Sequence, residues 1–423
     1  MIADDLRSFR RDLHRKPEPA WREFYTTARI VAELEARDVD DVFVGPAAIA
    51  GEHRLAVPDD DDLETWYERA RETDVDDDVL ERLEGGYTGA VAVLECGDGP
   101  TVGLRVDVDG LPITESDDPD HDPAAEGFRS EHEGAMHACG HDAHAAIGIG
   151  VLEAVRESDF SGTLKLFFQP AEEVVGGGKA MAKSGHLDDV DYLLAVHVGL
   201  DHPTGEVVAG VDGFLAVRHY EVTFTGESAH AGARPEEGRS AIQALATAVQ
   251  NLYAIPRHAE GATRVNVGVV EGGTAANIVA EAVRLVAEVR GETTELVEYM
   301  DEQARRTLRS AAMAHGCEVD LETVAEAPSA ESDTALAGIV EGVAAETAGV
   351  ETVLERDDLG GSEDATFLMR EVQRNGGLAC YVGVGTDHPG GHHTPTFDVD
   401  EETIDHGVDV LAGTIEQIGR DRP

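Results

Sequence analysis

Lysine is nearly absent: Lys16, Lys165, Lys179 and Lys183 are the only ones in 423 residues, and Arg supplies the other cations. Lys and Arg together number 33 against 85 Asp and Glu, a formal charge of −52. Such a balance excludes nucleic acid as a partner, because a phosphate backbone repels it. Acidic runs at 59–62 and 76–78 lie between apolar segments, not in one tail. A basic partner or calcium would explain them; a solvated acidic shell in a high-salt cytoplasm explains them better, since concentrated salt screens the self-repulsion. Cysteine is scarce as well. Cys96, Cys139, Cys317 and Cys380 are too scattered for a disulfide framework. No apolar stretch approaches the ~20 residues that span a bilayer. The opening MIADDLRSFRRDLHRKP is charged throughout and does not read as a signal peptide. A cytoplasmic protein without a membrane segment is expected.

What is present is enough apolar sequence, 42% of residues, for one large domain and a smaller one. Residues 4–37 read as a helix interrupted at Pro17 and Pro19, and 45–88 as an acidic segment with one helical stretch over 63–83. The runs GAVAVLEC, TVGLRVDVDG, GTLKLFFQ and DYLLAVHV then alternate with helical sequence. That alternation indicates an α/β architecture with a mostly parallel sheet. After residue 215 the order becomes β-α-β-β-α-β, the ferredoxin-like unit. The pattern predicts a metal-binding catalytic domain over 1–214 and 328–423, interrupted by a lid and dimerisation domain over 215–327.

Four segments carry side chains suited to metal chemistry. MHACGHDAH places Cys139 two residues before His141, which alone is weak evidence of a metal site, since a buried thiol and a surface histidine explain it better. In FFQPAEEVVGGG, Pro170 ends a strand before Glu172 and Glu173. Adjacent strand residues face opposite ways, so both carboxylates can serve one site only from the turn beyond the strand. In open α/β sheets that is the ligand-binding end; an exposed acidic turn is the alternative. His197 interrupts the apolar strand LLAVHVGL, as a satisfied core histidine also would. His388, His392 and His393 lie in the loop GVGTDHPGGHHTPTFD, where a surface cluster is the competing explanation. Each signal is ambiguous alone. Their conjunction supplies the thiolate, imidazole and carboxylate donors that two divalent ions require.

These motifs, with RVDVDGLP, HAGARPEEG, RVNVGVVEGG, AANIV and GSEDAT in the same order, cover nearly the whole chain. The sequence resembles the amidohydrolase branch of the aminoacylase and carboxypeptidase G superfamily, and within it the aminobenzoyl-glutamate hydrolase subgroup. The resemblance implies metal ligation by Cys139, His141, Glu173, His197 and His393, the last chosen over His392 because it directly precedes Thr-Pro. It places Glu172 on the catalytic acid/base. It assigns Asp109, with Asp107 beside it, a carboxylate that orients a ligand, and leaves Asp142 as a further candidate. His230 falls on a histidine that stabilises the oxyanion, often from the other protomer. Asn277 and Arg290 fall near the substrate carboxylate, with Arg234 a weaker match. A guanidinium suits that task by bidentate pairing, although Arg290 also reads as a surface strand residue.

The implied reaction is cleavage of the amide bond of an N-acyl amino acid with two divalent ions, Mn2+ or Zn2+; thiolate favours zinc, while imidazole and carboxylate also accept manganese. An aminobenzoyl-glutamate-like substrate is favoured. The alternatives are an aminoacylase for acetyl, benzoyl or indole-acyl amino acids, and a non-catalytic partner of a hetero-oligomeric amidohydrolase. A homodimer formed through the lid is expected, and pairing with a homologous second chain is the other arrangement.

Overall fold

The computed structural model describes residues 2–388 and 390–421 and divides by backbone contact into two units. The larger comprises the chain up to Gly213, Ala330–Leu359, and Asp364 onward; the smaller is Phe214–Ser329 with Gly360–Glu363. Among the described residues no helix is long and apolar enough to cross a membrane.

In the larger unit an eight-stranded sheet runs in the order Asp41–Val44, Ala90–Glu95, Thr163–Gln169, Thr101–Asp107, Tyr192–Val198, Leu378–Val384, Glu206–Val208, Thr352–Leu354. Its centre is parallel, and antiparallel pairings occur towards both sides. The central strands are buried nearly end to end, as expected of a sheet covered on both faces. Helix His141–Glu157 packs on Thr101–Asp107 and Thr163–Gln169, with Ile2–Arg15 and Glu402–Asp421 against it. Its approach is close because Gly148 faces Val106 and Phe168, where a Cβ would come within 3.1 Å of the Phe168 ring. Strand alternation sends Arg105, Phe167 and Gln169 to the opposite face.

The acidic segment departs from the single helix that the sequence suggests. It forms two helices, Asp60–Arg71 and Asp77–Leu83. Asp59 accepts from Asp62 N, and Asp76 accepts from Asp78 N and Val79 N. The acidic runs thus supply helix caps and first-turn charge, both favourable at the positive end of the helix dipole. The break at Asp76 follows from its capping.

The smaller unit is a four-stranded antiparallel sheet in the order Thr263–Gly272, Ala282–Gly291, Ala216–Thr225, Glu318–Ala327. Helices Ala241–Tyr253 and Thr294–Ala314 follow its first and third strands in the chain. They bury Ala244, Leu245, Leu252, Met300 and Leu308 with Tyr220, Val222, Phe224, Leu285 and Val289 of the sheet. Ser240 and Thr293 cap the helices by accepting from Gln243 N and Leu296 N. One edge strand, Glu318–Ala327, exposes Glu318, Asp320 and Glu322. The other, Thr263–Gly272, leaves Val269 and Val270 40% and 52% exposed.

Candidate metal centre

The strand ends of the larger unit bring the donor side chains together. Cys139 and His141 flank Gly140, whose φ is +83°. A Cβ at Gly140 would lie 2.5 Å from Val198 Cγ2, so only glycine permits this turn directly before helix His141–Glu157. The Cys139 Sγ lies 3.4 Å from His197 Nε2. Ligand atoms of Cys139, His141 and His197 lie within 4.8 Å of one another, as do those of Cys139, Glu173 and His393, and those of His141, Glu172 and Glu173.

Backbone carbonyls set the histidine tautomers. His141 donates from Nδ1 to the Asp109 carbonyl (2.9 Å), and His197 donates from Nδ1 to the Val198 carbonyl (2.7 Å). A carbonyl can only accept, so in the neutral form of each ring the lone pair lies on Nε2. This is the arrangement that metal-binding imidazoles use. His141 Nε2 and Glu173 Oε1 are buried and have no hydrogen-bond partner, and they face each other across 3.8 Å. One cation at ~2.0–2.2 Å from each would bridge that gap. The same crowding acts on the protons of these donors. Burial, then the charges of Glu173 and Glu172, push the Cys139 thiol well above its usual value. Burial also raises Glu173 to about 8. His141, against the pull of burial, is raised to about 10 by Asp107 and Asp109. A dication held here would displace these protons, leaving the thiolate, carboxylate and neutral imidazole that ligation requires. The residues fit a metal.

The turn bearing the glutamates is strained and held at several points. Ala171 adopts φ +56°, a conformation costing ~1–3 kcal/mol away from glycine. Its N–H donates to Glu23 Oε1 (2.8 Å). Asp109, 1% exposed, accepts Glu172 N at 3.1 Å and Glu173 N at 3.0 Å, one on each oxygen. Asp109 therefore fixes the backbone of both glutamates and, through its carbonyl, the ring of His141.

His392 and His393 part company in the loop. His392 Nε2 accepts Leu200 N (3.2 Å), and burial followed by the charge of His388 lowers this ring to about 3. His393, at φ +60°, donates its N–H to Ala138 O (2.8 Å) and brings Nε2 to 3.4 Å from Glu173 Oε2. Asp142 turns away from the donors towards Arg10 (2.7 Å) and His14 (2.8 Å). In the smaller unit His230 is exposed, and its Nδ1 accepts Gly232 N and Ala233 N, both at 3.1 Å. Asn277 is exposed, and its carbonyl accepts Ala231 N at 2.9 Å. Arg290 is engaged by Glu288 at 3.0 and 3.2 Å. Arg234 lies beside Glu237 at 3.5 Å, its side chain 70% exposed.

Three residues of this centre escape sequence reasoning: Glu23, Arg105 and His144. Asp107 bridges the last two, accepting from Arg105 Nη1 (2.8 Å) on one oxygen and from His144 Nδ1 on the other. Against the upward push of burial, Arg105 and then His141 hold the Asp107 carboxyl well below its usual range. The third histidine of MHACGHDAH is visible in the sequence, but no pattern there tells which groups its ring will meet.

Residues 103–417 match the model of peptidase family M20/M25/M40. The chain is 41% identical over 417 residues to an indole-3-acetyl-aspartic acid hydrolase of Enterobacter agglomerans, covering 98% of this chain and 95% of that one. It is 40% identical over 417 residues, with the same coverage, to one subunit of the p-aminobenzoyl-glutamate hydrolase of Escherichia coli strain K12. Among solved structures it resembles an aminobenzoyl-glutamate utilization protein from Klebsiella pneumoniae, with a TM-score of 0.84 and 34% identity over 98% of this chain and 96% of that one.

Proposed function

The chain belongs to the peptidase family M20/M25/M40, and from that premise we propose that it hydrolyses the amide bond of N-acylated amino acids with two divalent ions. The observation that carries this reading is the pair of unpartnered, buried donors, His141 Nε2 and Glu173 Oε1, set 3.8 Å apart amid Cys139, His197 and His393. These five residues would hold the ions, Mn2+ or Zn2+. When bound, the ions would acidify a water molecule and polarise the scissile carbonyl.

Glu172 is the residue left to move the proton. Its backbone is fixed by Asp109 and its side chain lies beside the ligands without being required among them. It takes a proton from the attacking water and returns it to the departing amine, the two-way transfer that one carboxylate can perform. His230 would steady the oxyanion through Nε2, since its Nδ1 already accepts two backbone N–H groups. Asn277 and Arg290 would receive the substrate carboxylate, Arg290 exchanging its bond to Glu288 for the incoming anion.

The smaller unit is read as a ferredoxin-like lid. Its β-α-β-β-α-β order and its sheet, with the first and third strands central, support that reading. Homodimerisation through its exposed edge strand Thr263–Gly272 is supported by Val269, Val270, Ile242 and Tyr253, all at least 40% exposed. An unpaired edge with apolar flanks invites a partner strand. A homologous second chain would use the same edge, an arrangement favoured by one relative being described as a subunit of its hydrolase. The acidic surface suits a cytoplasm of high salt.

Two relatives at 40% identity or above are, by name, hydrolases of acylated amino dicarboxylates, which favours an aminobenzoyl-glutamate-like substrate over acetyl or benzoyl amino acids. The test is to assay the protein in molar salt on aminobenzoyl-glutamate, indole-acetyl-aspartate, hippurate and N-acetyl amino acids, with Mn2+ or Zn2+, after EDTA, and as Glu172→Gln. Metal-dependent release of the free amino acid, abolished by the substitution, is expected. No turnover with both ions bound would transfer the reading to a non-catalytic partner of another chain.

A further inference from the structure

Val198 is the last residue of strand Tyr192–Val198, and the neighbouring strand Thr101–Asp107 stops pairing with it at Arg105 and Ala195. On that side the buried Val198 N–H has lost its ladder partner, and a buried N–H without an acceptor is costly. His144 takes the place of the missing strand: its Nε2 accepts Val198 N at 2.8 Å. The other ring nitrogen, Nδ1, is bonded to the carboxylate of Asp107, which Arg105 engages from its far oxygen. A carboxylate can only accept, so the proton resides on Nδ1 and the Nε2 lone pair is spent on the amide. Although His144 lies close enough to Asp107 and His141 to join a metal cluster, it has no lone pair to offer.

The backbone of Val198 then acts on His197. Its N–H is tied to His144 and its carbonyl receives the Nδ1 proton of His197. We propose that His144 is a positioning residue, which replaces a sheet hydrogen bond to clamp the Val198 backbone and so aims His197 Nε2 at the metal. The chain Arg105–Asp107–His144–Val198 fixes a ligand from behind while keeping Asp107 and His144 out of the coordination sphere. This rests on the reading of His197 as a ligand.

The test begins on the wild-type chain, metal-free and 15N-labelled at histidine. Long-range proton–nitrogen correlation should show His144 protonated on Nδ1 and bare on Nε2. Titrating Zn2+ should move the Nε2 resonances of His141 and His197 and leave that of His144 in place. A shift of His144 Nε2 to the metal-bound range would make it a ligand and overturn the proposal. Two variants separate its bonds: Gln can still accept from Val198 N, whereas Asn can only donate to Asp107. His144→Asn should weaken zinc about 10–100-fold in chelator competition, the usual cost of losing a ligand's support. Its Val198 amide should exchange with deuterium faster, while both zinc equivalents still bind. His144→Gln should stay close to wild type. Equal affinity in all three proteins, with His197 still shifted by zinc, would overturn the positioning role alone. Zinc that leaves His197 unshifted would overturn the ligand reading beneath it.

Discussion

Replacing Asp109 with Asn removes little volume and one charge, yet the geometry makes it a severe change. Both carboxylate oxygens are in use, one accepting Glu172 N and the other Glu173 N. Asn offers one acceptor; whichever way its amide lies, an NH2 group faces a buried N–H. The loss combines a hydrogen bond to a charged acceptor, ~1.5–3 kcal/mol, with an unsatisfied donor, and the two overlap to ~2–4 kcal/mol. The turn is already strained at Ala171, where φ is +56°. Strain of ~1–3 kcal/mol persists only while the surroundings impose it. The forfeited energy is therefore comparable to what the turn stores, and the backbone of 171–173 is expected to relax.

A shift of about an ångström in a catalytic group costs ~10²-fold in rate. In Asp109→Asn, kcat should thus fall about 10²-fold, equivalent to ~2.7 kcal/mol, with KM little altered because Asp109 sits behind the glutamates. Metal affinity should fall as well, since Glu173 moves with Glu172. The assay is steady-state turnover at saturating metal, paired with chelator competition and a crystal or exchange measurement on the 171–173 backbone. Asp109→Asn with wild-type kcat and wild-type metal affinity would refute the reasoning. So would a loss expressed in KM alone, which would place Asp109 on the substrate.

His14 lies buried between Asp142 (2.8 Å) and Glu115 (2.9 Å); against burial and Arg10, those carboxylates raise it to about 9. A raised histidine stabilises in full below its unfolded value near 6.5 and loses that contribution as pH rises through about 9. Denaturation midpoints should therefore fall between pH 6.5 and 9 in wild type, and His14→Gln should flatten that slope; an unchanged slope would remove His14 from the account. On the smaller unit, Val270→Lys places a charge on the exposed edge strand, a known block to strand pairing. On the proposed dimer, sedimentation in molar salt should show the variant as monomer and wild type as dimer; a variant that still dimerises would locate the interface elsewhere, and a monomeric wild type would refute the dimer.

How much of this was legible in the sequence depends on whether a feature is local. The strands TVGLRVD, TLKLFFQ and YLLAVHV are buried on both faces and read as apolar runs, so their assignment needed no tertiary information. The helix over 294–314 was equally plain from its periodicity. The break between helices Asp60–Arg71 and Asp77–Leu83 was missed because Asp76 is one acid among many; capping depends on backbone angles that composition does not report. The same limit applies at the centre. Cys139, His141, Glu173 and His197 are chemically conspicuous residue types, at a helix start, a turn past a strand and a strand end. Their supports are not: Glu23 reaches Ala171 across 148 residues, and Arg105 meets Asp364 across 259. Such partners are joined only by the order of strands in the sheet. His144 is the instructive case, because it stands three residues from His141 in one motif, and the Cys139 spacing that singles out His141 says nothing of what His144 does. What separates them is the end of a ladder: His141 Nδ1 meets a carbonyl and leaves its other nitrogen bare, whereas His144 meets an amide left over where pairing stops. On the proposed reading, a ligand and its support are told apart by which backbone group each ring faces.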